Sequence, residues 1–307
     1  MERQHRPQRQ VTFSRTSPGS TLRMRARALK QMTYNFSAQL RNEPWYMGEV
    51  YHGELLKSLE DAPEAFGMGY DPEEEIKAPS ILSVNDGIAT IDISGPLATK
   101  VHPLVQAMFG VADMGNIQNA LAEAAGNSDV KGIILNIDSP GGTVRGTPET
   151  ADTVAAVASI KPVYAFTDSM MASAAYYIGS QADAIYATPS STIGSIGVML
   201  PHVDMSEKAK AQGLKVRVFT SGKFKAAGYP GTSLTEEQAE NIQEGIDAMF
   251  ADFREAVLRR GRNISDETMQ GQTFTGKVGA ELNVASDTVG SFGEAVSRLR
   301  KLISLRG

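Results

Sequence analysis

The chain of 307 residues contains no cysteine. That excludes disulfides, thiolate metal ligands and a cysteine nucleophile from anything it does. Tryptophan occurs once and histidine four times, so imidazole chemistry has few places to reside. Positive charge is not in excess, since the formal net charge is −5, which argues against nucleic acid as the main partner of the whole surface. Long apolar runs are also missing. The longest stretch without Asp, Glu, Lys or Arg, Ala184 to Val203, is interrupted by Pro189, Gly194, Gly197 and Pro201 and lacks the continuous apolar character of a membrane span. No secretory apolar segment follows the N-terminus, and a cytoplasmic protein is the expectation.

With 41% hydrophobic residues, the chain can bury a substantial core. Residues 1–30 carry Arg3, Arg6, Arg9, Arg15, Arg23, Arg25, Arg27 and Lys30 against the single acid Glu2, the composition of a disordered basic arm that could contact nucleic acid. Between Gln31 and Tyr51 lie scattered aromatics, including Trp45, expected to pack an N-terminal segment onto the main body. The acidic, Gly- and Pro-punctuated stretch Glu60 to Glu75 reads as an exposed linker. Three regions are therefore expected: the arm, an N-terminal segment with linker over 31–79, and a folded domain over 80–305.

That domain opens with a hairpin pattern, residues 81–84 and 88–93 around Asn85-Asp86-Gly87. Helical spacing over Asn116 to Ala125 precedes the apolar run Gly132 to Ile137, and the pattern repeats with a helix over Pro148 to Ile160 and strands over 162–167 and 184–188. Alternating helices and buried strands indicate an α/β layered fold. A helix over Ser206 to Gln212, a strand over Lys215 to Phe219 and a long helix over Glu236 to Arg260 follow. The apolar stripe of that long helix, Ile242, Ile246, Met249, Phe250, Phe253 and Val257, reads as core or subunit interface rather than a binding groove. The end of the chain, Phe274 to Leu305, alternates a short helix, a strand-like segment at 283–286 and a C-terminal helix.

Two stretches carry the chemistry. Asp138-Ser139-Pro140-Gly141-Gly142 follows a buried strand, and two glycines there permit backbone N–H groups to point outward as an oxyanion hole requires. Ser173 sits among small residues where a strand gives way to a helix, a place that presents a hydroxyl but also one where serine simply caps a helix. A serine needs a base. His202, with Asp138 or Asp204 as its carboxylate, makes one candidate triad. The other base is a lysine of the loop Ser221 to Lys225, which must be desolvated beside Ser173 to accept a proton.

Residues 137–142 (IDSPGG), 170–183 (MMASAAYYIGSQAD), 192–198 (TIGSIGV), 221–230 (SGKFKAAGYP) and 272–286 (QTFTGKVGAELNVAS), in this order, resemble the S49 family of serine proteases, SppA-like enzymes that include the head-maturation proteases of tailed phages. The resemblance spans roughly residues 80–300 and is stronger to the phage branch. It implies a ClpP/crotonase-like fold of stacked ββα units, a Ser-Lys dyad of Ser173 and Lys225, an oxyanion hole from Gly142, with Gly141, and the Ala174 amide, and a Ser195 hydroxyl that helps hold the lysine. It implies no cofactor and no metal, protein or peptide substrates such as scaffold or portal proteins, a homo-oligomer, and a place in the host cytoplasm or the procapsid interior. A departure stands beside the nucleophile, where Ser173-Ala174-Ala175-Tyr176 replaces the usual Ser-Gly-Gly-Tyr of SppA proteins. Alternatives are a host SppA-like signal peptide peptidase, a crotonase-like acyl-CoA enzyme and a non-catalytic assembly protein.

Overall fold

A computed structural model describes residues 31, 36–37, 44–47, 51–58 and 80–306. The basic arm and the acidic linker lie outside the described residues. The hairpin forms as expected: β2 (Leu82–Asn85) and β3 (Ile88–Ser94) pair antiparallel around Asp86 and Gly87, both with positive φ, the geometry of a two-residue turn that matches strand twist. From β3 onward the main sheet is parallel. Its order is β13-β10-β8-β6-β3-β2, with β6 (Gly132–Asp138), β8 (Val163–Thr167), β10 (Ala184–Ala187) and β13 (Asp287–Thr288). β8 and the first four residues of β6 are buried on both faces, which explains why their apolar residues run together instead of alternating.

Each central strand hands the chain to a short second strand. β3 leads to β4 (Leu97–Ala98), β6 to β7 (Gly141–Thr143), β8 to β9 (Met170–Ala172) and β10 to β11 (Thr192–Gly194). A helix then returns the chain: α2 (Pro103–Phe109) and α3 (Met114–Gly126) after β4, α4 (Thr147–Ala158) after β7, α5 (Ala174–Gly179) after β9. The short strands also pair across units, β4 with β7 and β9 with β11, both parallel. This spiral is the stack of ββα units expected. Small residues let it close tightly: a Cβ on Gly142 would overlap the Leu97 carbonyl oxygen and come within 2.6 Å of the Leu97 carbonyl carbon.

Three expectations change. Residues 215–219 form no strand, and Phe219 is 86% exposed, because among the described residues no strand pairs with them to take their hydrogen bonds. The strand expected at 283–286 begins four residues later, as β13, after Asn283 turns the chain with φ 62°. The long helix α7 (Glu236–Arg259) is split in use: Phe253, Ala256 and Val257 are core, whereas Ile246 and Phe250 face a cleft. It starts with a capping box between Thr235 and Gln238.

The N-terminal segment supplies β1 (Trp45–Met47) and a helix, α1 (51–58). β1 pairs antiparallel with β7. Trp45 is 1% exposed and belongs to a satellite core with Met47, Leu55, Val101, Val105 and Val111, meeting His52 of α1 edge-on at 4.9 Å. C-terminal α9 (Phe292–Arg306) covers the opposite face of the main sheet, its Leu299 packed with Ile134 and Phe166.

Candidate active site

Ser173 stands between β9 and α5 with φ 54° and ψ −118°. That left-handed conformation costs a non-glycine residue energy and persists only where neighbours enforce it. Here they do: its N–H donates to the Gly194 carbonyl at 2.8 Å, its carbonyl accepts from Tyr177 N–H at 2.8 Å, and β9 is locked to β11. A sharp strand-to-helix turn of this kind lifts a hydroxyl out of the backbone. Ser173 is 1% exposed, and what it faces is a cleft of about 430 Å³. Ser195 lies directly across, one residue beyond β11, also with φ 54° and held by its N–H to the Gln272 carbonyl at 2.7 Å.

The apolar walls of the cleft are Met47, Ile196, Val198, Met199, Ile246 and Phe250, and its polar groups besides the two serines include Gln243, Asp247 and Gln270. Gln243, Ile246, Asp247 and Phe250 share one face of α7 at helical spacing, a surface the apolar stripe alone did not separate from core. Asp247 accepts from Gln243 Nε2 at 2.7 Å.

The Gly141-Gly142 strand lies against the serine strand. Ser139 N–H donates to the Met170 carbonyl at 2.8 Å, and Ala172 N–H donates to the Ser139 carbonyl at 3.1 Å. Gly141, at φ 107°, donates its N–H to Ser139 Oγ at 3.2 Å. Ala174 occupies the first position of α5, where backbone N–H groups have no intrahelical acceptor.

Neither candidate base reaches this cleft within one chain. Lys225 is exposed on the 221–230 loop, and His202 is exposed beside Gly228 of the same loop, whose Cβ position would be 3.4 Å from His202 Nδ1. Neither lines the cleft. Of the carboxylates proposed to orient His202, Asp204 lies near it but accepts its hydrogen bond from the Ser206 N–H at 2.8 Å at the start of α6 (Ser206–Ala211), and Asp138 lines a separate cavity with Tyr51 and Glu54. Around this loop Val203, Leu214, Phe219 and Tyr229 are exposed apolar residues.

The helix behind Ser173 is pinned at its far end. Tyr176 is fully buried and donates its hydroxyl to the Val284 carbonyl at 2.9 Å. Burial raises its pKa and pushes that of Tyr177 up to about 12, so both phenols stay protonated. Arg262 donates to the Ser180 and Ala182 carbonyls at 3.4 and 3.2 Å, a cation at a helix C-terminus, and burial draws it below its usual range. Among the described residues no cluster of His, Asp or Glu could hold a metal ion, and no helix is long and apolar enough to cross a membrane.

Comparison with known proteins bears on what this cleft is. The family model "Peptidase family S49" matches residues 155–306, from α4 through α9. The chain is 31% identical over 226 residues to capsid assembly protease C of Escherichia phage lambda, covering 73% of this chain and 51% of that protein. It is 31% identical over 237 residues to head-tail preconnector protein GP5 of Enterobacteria phage P21, covering 75% and 46%. The chain thus spans about half the length of these curated relatives. A ClpP1 mutant from Listeria monocytogenes superposes with a TM-score of 0.41 at 13% identity, covering 66% of this chain and 92% of that one. Ordered motifs, family model and relatives agree: the chain belongs to peptidase family S49, the SppA-like serine proteases.

Proposed function

We propose that the chain is a serine endopeptidase with a Ser-Lys dyad that cleaves scaffold and other head proteins during assembly of a phage capsid. The observation that carries this is Ser173, held at φ 54° on a strand-to-helix turn and opening onto a peptide-sized cleft. Ser173 Oγ attacks the scissile carbonyl carbon as Lys225 Nζ takes the hydroxyl proton. The C–N bond then breaks as the same proton goes to the leaving amine, water attacks the acyl-enzyme with Lys225 accepting its proton, and the ester C–Oγ bond breaks as Lys225 returns that proton to Ser173 Oγ, releasing the carboxyl product. The Gly142 and Ala174 amides stabilise the oxyanion, with Gly141 shaping the turn, and Ser195 helps hold the lysine.

Because Lys225 is exposed in its own chain, the reading places it in the cleft of a second copy within a homo-oligomer. The exposed apolar residues around its loop support that, since single-chain burial leaves Phe219 and Leu214 in water. Residues 80–305 are the protease domain in this reading, acting in the host cytoplasm or the procapsid interior. Capsid proteins as substrates follow the names of the phage relatives.

The test is subunit complementation. Ser173→Ala and Lys225→Ala proteins, each inactive on labelled casein, regain activity when mixed and reassembled. Activity retained by Lys225→Ala but lost in His202→Ala would overturn the dyad.

A further inference from the structure

We infer that β1 is an internal occupant of the substrate-strand slot, which must leave Gly142 before the peptidase can turn over. This rests on the serine-protease reading above. Strand register carries it. β1 and β7 pair Trp45 with Thr143, Tyr46 with Gly142 and Met47 with Gly141. One step further along, Val144 N–H donates to the Pro44 carbonyl at 3.1 Å, which makes 44 and 144 a hydrogen-bonded pair. Such pairs alternate along an antiparallel ladder, so 45 and 143 are a non-bonded pair and 46 and 142 are bonded again. The Gly142 N–H therefore points at the Tyr46 carbonyl. Gly141 N–H is taken by Ser139 Oγ. Both amides of the Gly-Gly turn are thus engaged by the chain itself.

The other edge of β1 is equally telling. Trp45 N–H donates to the Met199 carbonyl at 2.9 Å and Met199 N–H returns a bond to the Trp45 carbonyl at 3.0 Å. β1 is threaded between the glycine strand and the Ile196–Met199 wall, with Met47 projecting into the cleft that holds Ser173. An extended peptide laid between those edges would make the same main-chain bonds, so the slot takes an extended polypeptide antiparallel to β7. A scissile carbonyl reaching Gly142 N–H has to replace the Tyr46 carbonyl.

The absence of native cysteine allows a direct test. A Pro44→Cys, Val144→Cys protein joins a hydrogen-bonded cross-strand pair, spaced about 5.5 Å at Cα, within the reach of a disulfide. With the cross-link verified by mass, the oxidised protein is expected to cleave labelled casein at least tenfold more slowly than the same protein after reduction. Equal rates in the two forms would overturn the inference. If neither form cleaves, and the parent chain also fails, the serine-protease reading falls instead. A second measurement needs no cross-link: Trp45 is the single tryptophan, so its emission reports β1 alone. In Ser173→Ala protein, saturation with a tryptophan-free synthetic peptide spanning a mapped casein cleavage site should shift that emission to the red as Trp45 leaves its core. Binding without a shift would show that β1 stays in place.

Discussion

Replacing Gly142 with alanine separates catalytic from packing roles at the glycine turn. The new methyl group would overlap the Leu97 carbonyl oxygen and sit 2.6 Å from both the Leu97 carbonyl carbon and its Cβ. Backbone atoms cannot rotate away, so β7 must move off β4 and take the Gly142 amide with it. Overpacking of this kind costs about 1–3 kcal/mol of stability. Displacing one oxyanion donor costs about 2.7–4 kcal/mol in the transition state, or roughly 10²–10³ in kcat. The two effects are read separately, by urea denaturation and by kcat on a synthetic peptide. Gly276→Ala is the control: its methyl group would overlap the Thr188 carbonyl oxygen and lie 2.8 Å from Ser191 Oγ, away from the cleft. Both variants should lose stability, and only Gly142→Ala should lose two orders of magnitude in kcat at temperatures where both are folded. A Gly142→Ala enzyme with kcat within threefold of the parent, and stability reduced as in Gly276→Ala, would refute the assignment of this amide.

The backbone at Ser173 makes a second prediction: Ser173→Gly and Ser173→Ala should both be inactive, but the glycine variant should be more stable by about 1 kcal/mol because it relieves a positive φ; equal stabilities by denaturant titration would show no strain. Asp247 is the one ionisable side chain in the cleft wall among the described residues, set among Ile246, Phe250 and Met199, so substrates carrying lysine or arginine beside the scissile bond should be preferred over norleucine analogues. An exposed ion pair of ~1 kcal/mol corresponds to about a fivefold preference in kcat/KM. Asp247→Lys should reverse it towards glutamate, and an unchanged ratio would remove Asp247 from substrate selection. Arg298 joins α9 to the sheet edge, bonded to Asp287 at 2.6 Å and stacked over Tyr186 at 5.0 Å. Its hydrogen bond holds the Asp287 carboxyl below the usual range, so the stabilisation is fully present above the unfolded value near pH 4 and is lost as pH falls through the folded one. Arg298→Ala should cost under ~1 kcal/mol near neutrality, since both partners are partly exposed, and less at pH 3. A penalty equal at both pH values would contradict this.

Much of the fold was legible because buried parallel strands declare themselves. The run Gly132 to Leu135 is apolar on both faces for the reason it is buried on both, and Asp86-Gly87 names its turn. The second strands β7, β9 and β11 were not legible, since three-residue strands exist only through partners far along the chain. Residues 215–219 show the converse, β-forming side chains without an edge to join. Ser173 and Ser195 were legible through their motifs, yet nothing in composition or spacing shows that they end paired strands and line one cleft with the same φ of 54°. The register that aims the Gly142 amide at Tyr46 is invisible in the sequence for the same reason: it belongs to a pairing across nearly a hundred residues.

Helix α7 ties these pieces into one mechanical unit. Its middle turns wall the cleft through Gln243, Ile246, Asp247 and Phe250. Its last two turns grip α5, the helix that follows Ser173, and the turn after it: Phe253 stacks on Tyr177 at 4.7 Å and 28°, and the Ala256 carbonyl accepts from Gln181 Nε2 at 2.9 Å. Arg262, just beyond α7, holds the carbonyls that end α5. Close-packed interiors transmit displacement rather than absorb it. A peptide seated against Phe250 therefore presses on the same packed unit that carries Ser173, and the 221–230 loop is tied to that unit too, since Lys223 pairs with Glu237 of α7 and the Lys223 carbonyl accepts from Gln238 Nε2 at 3.1 Å.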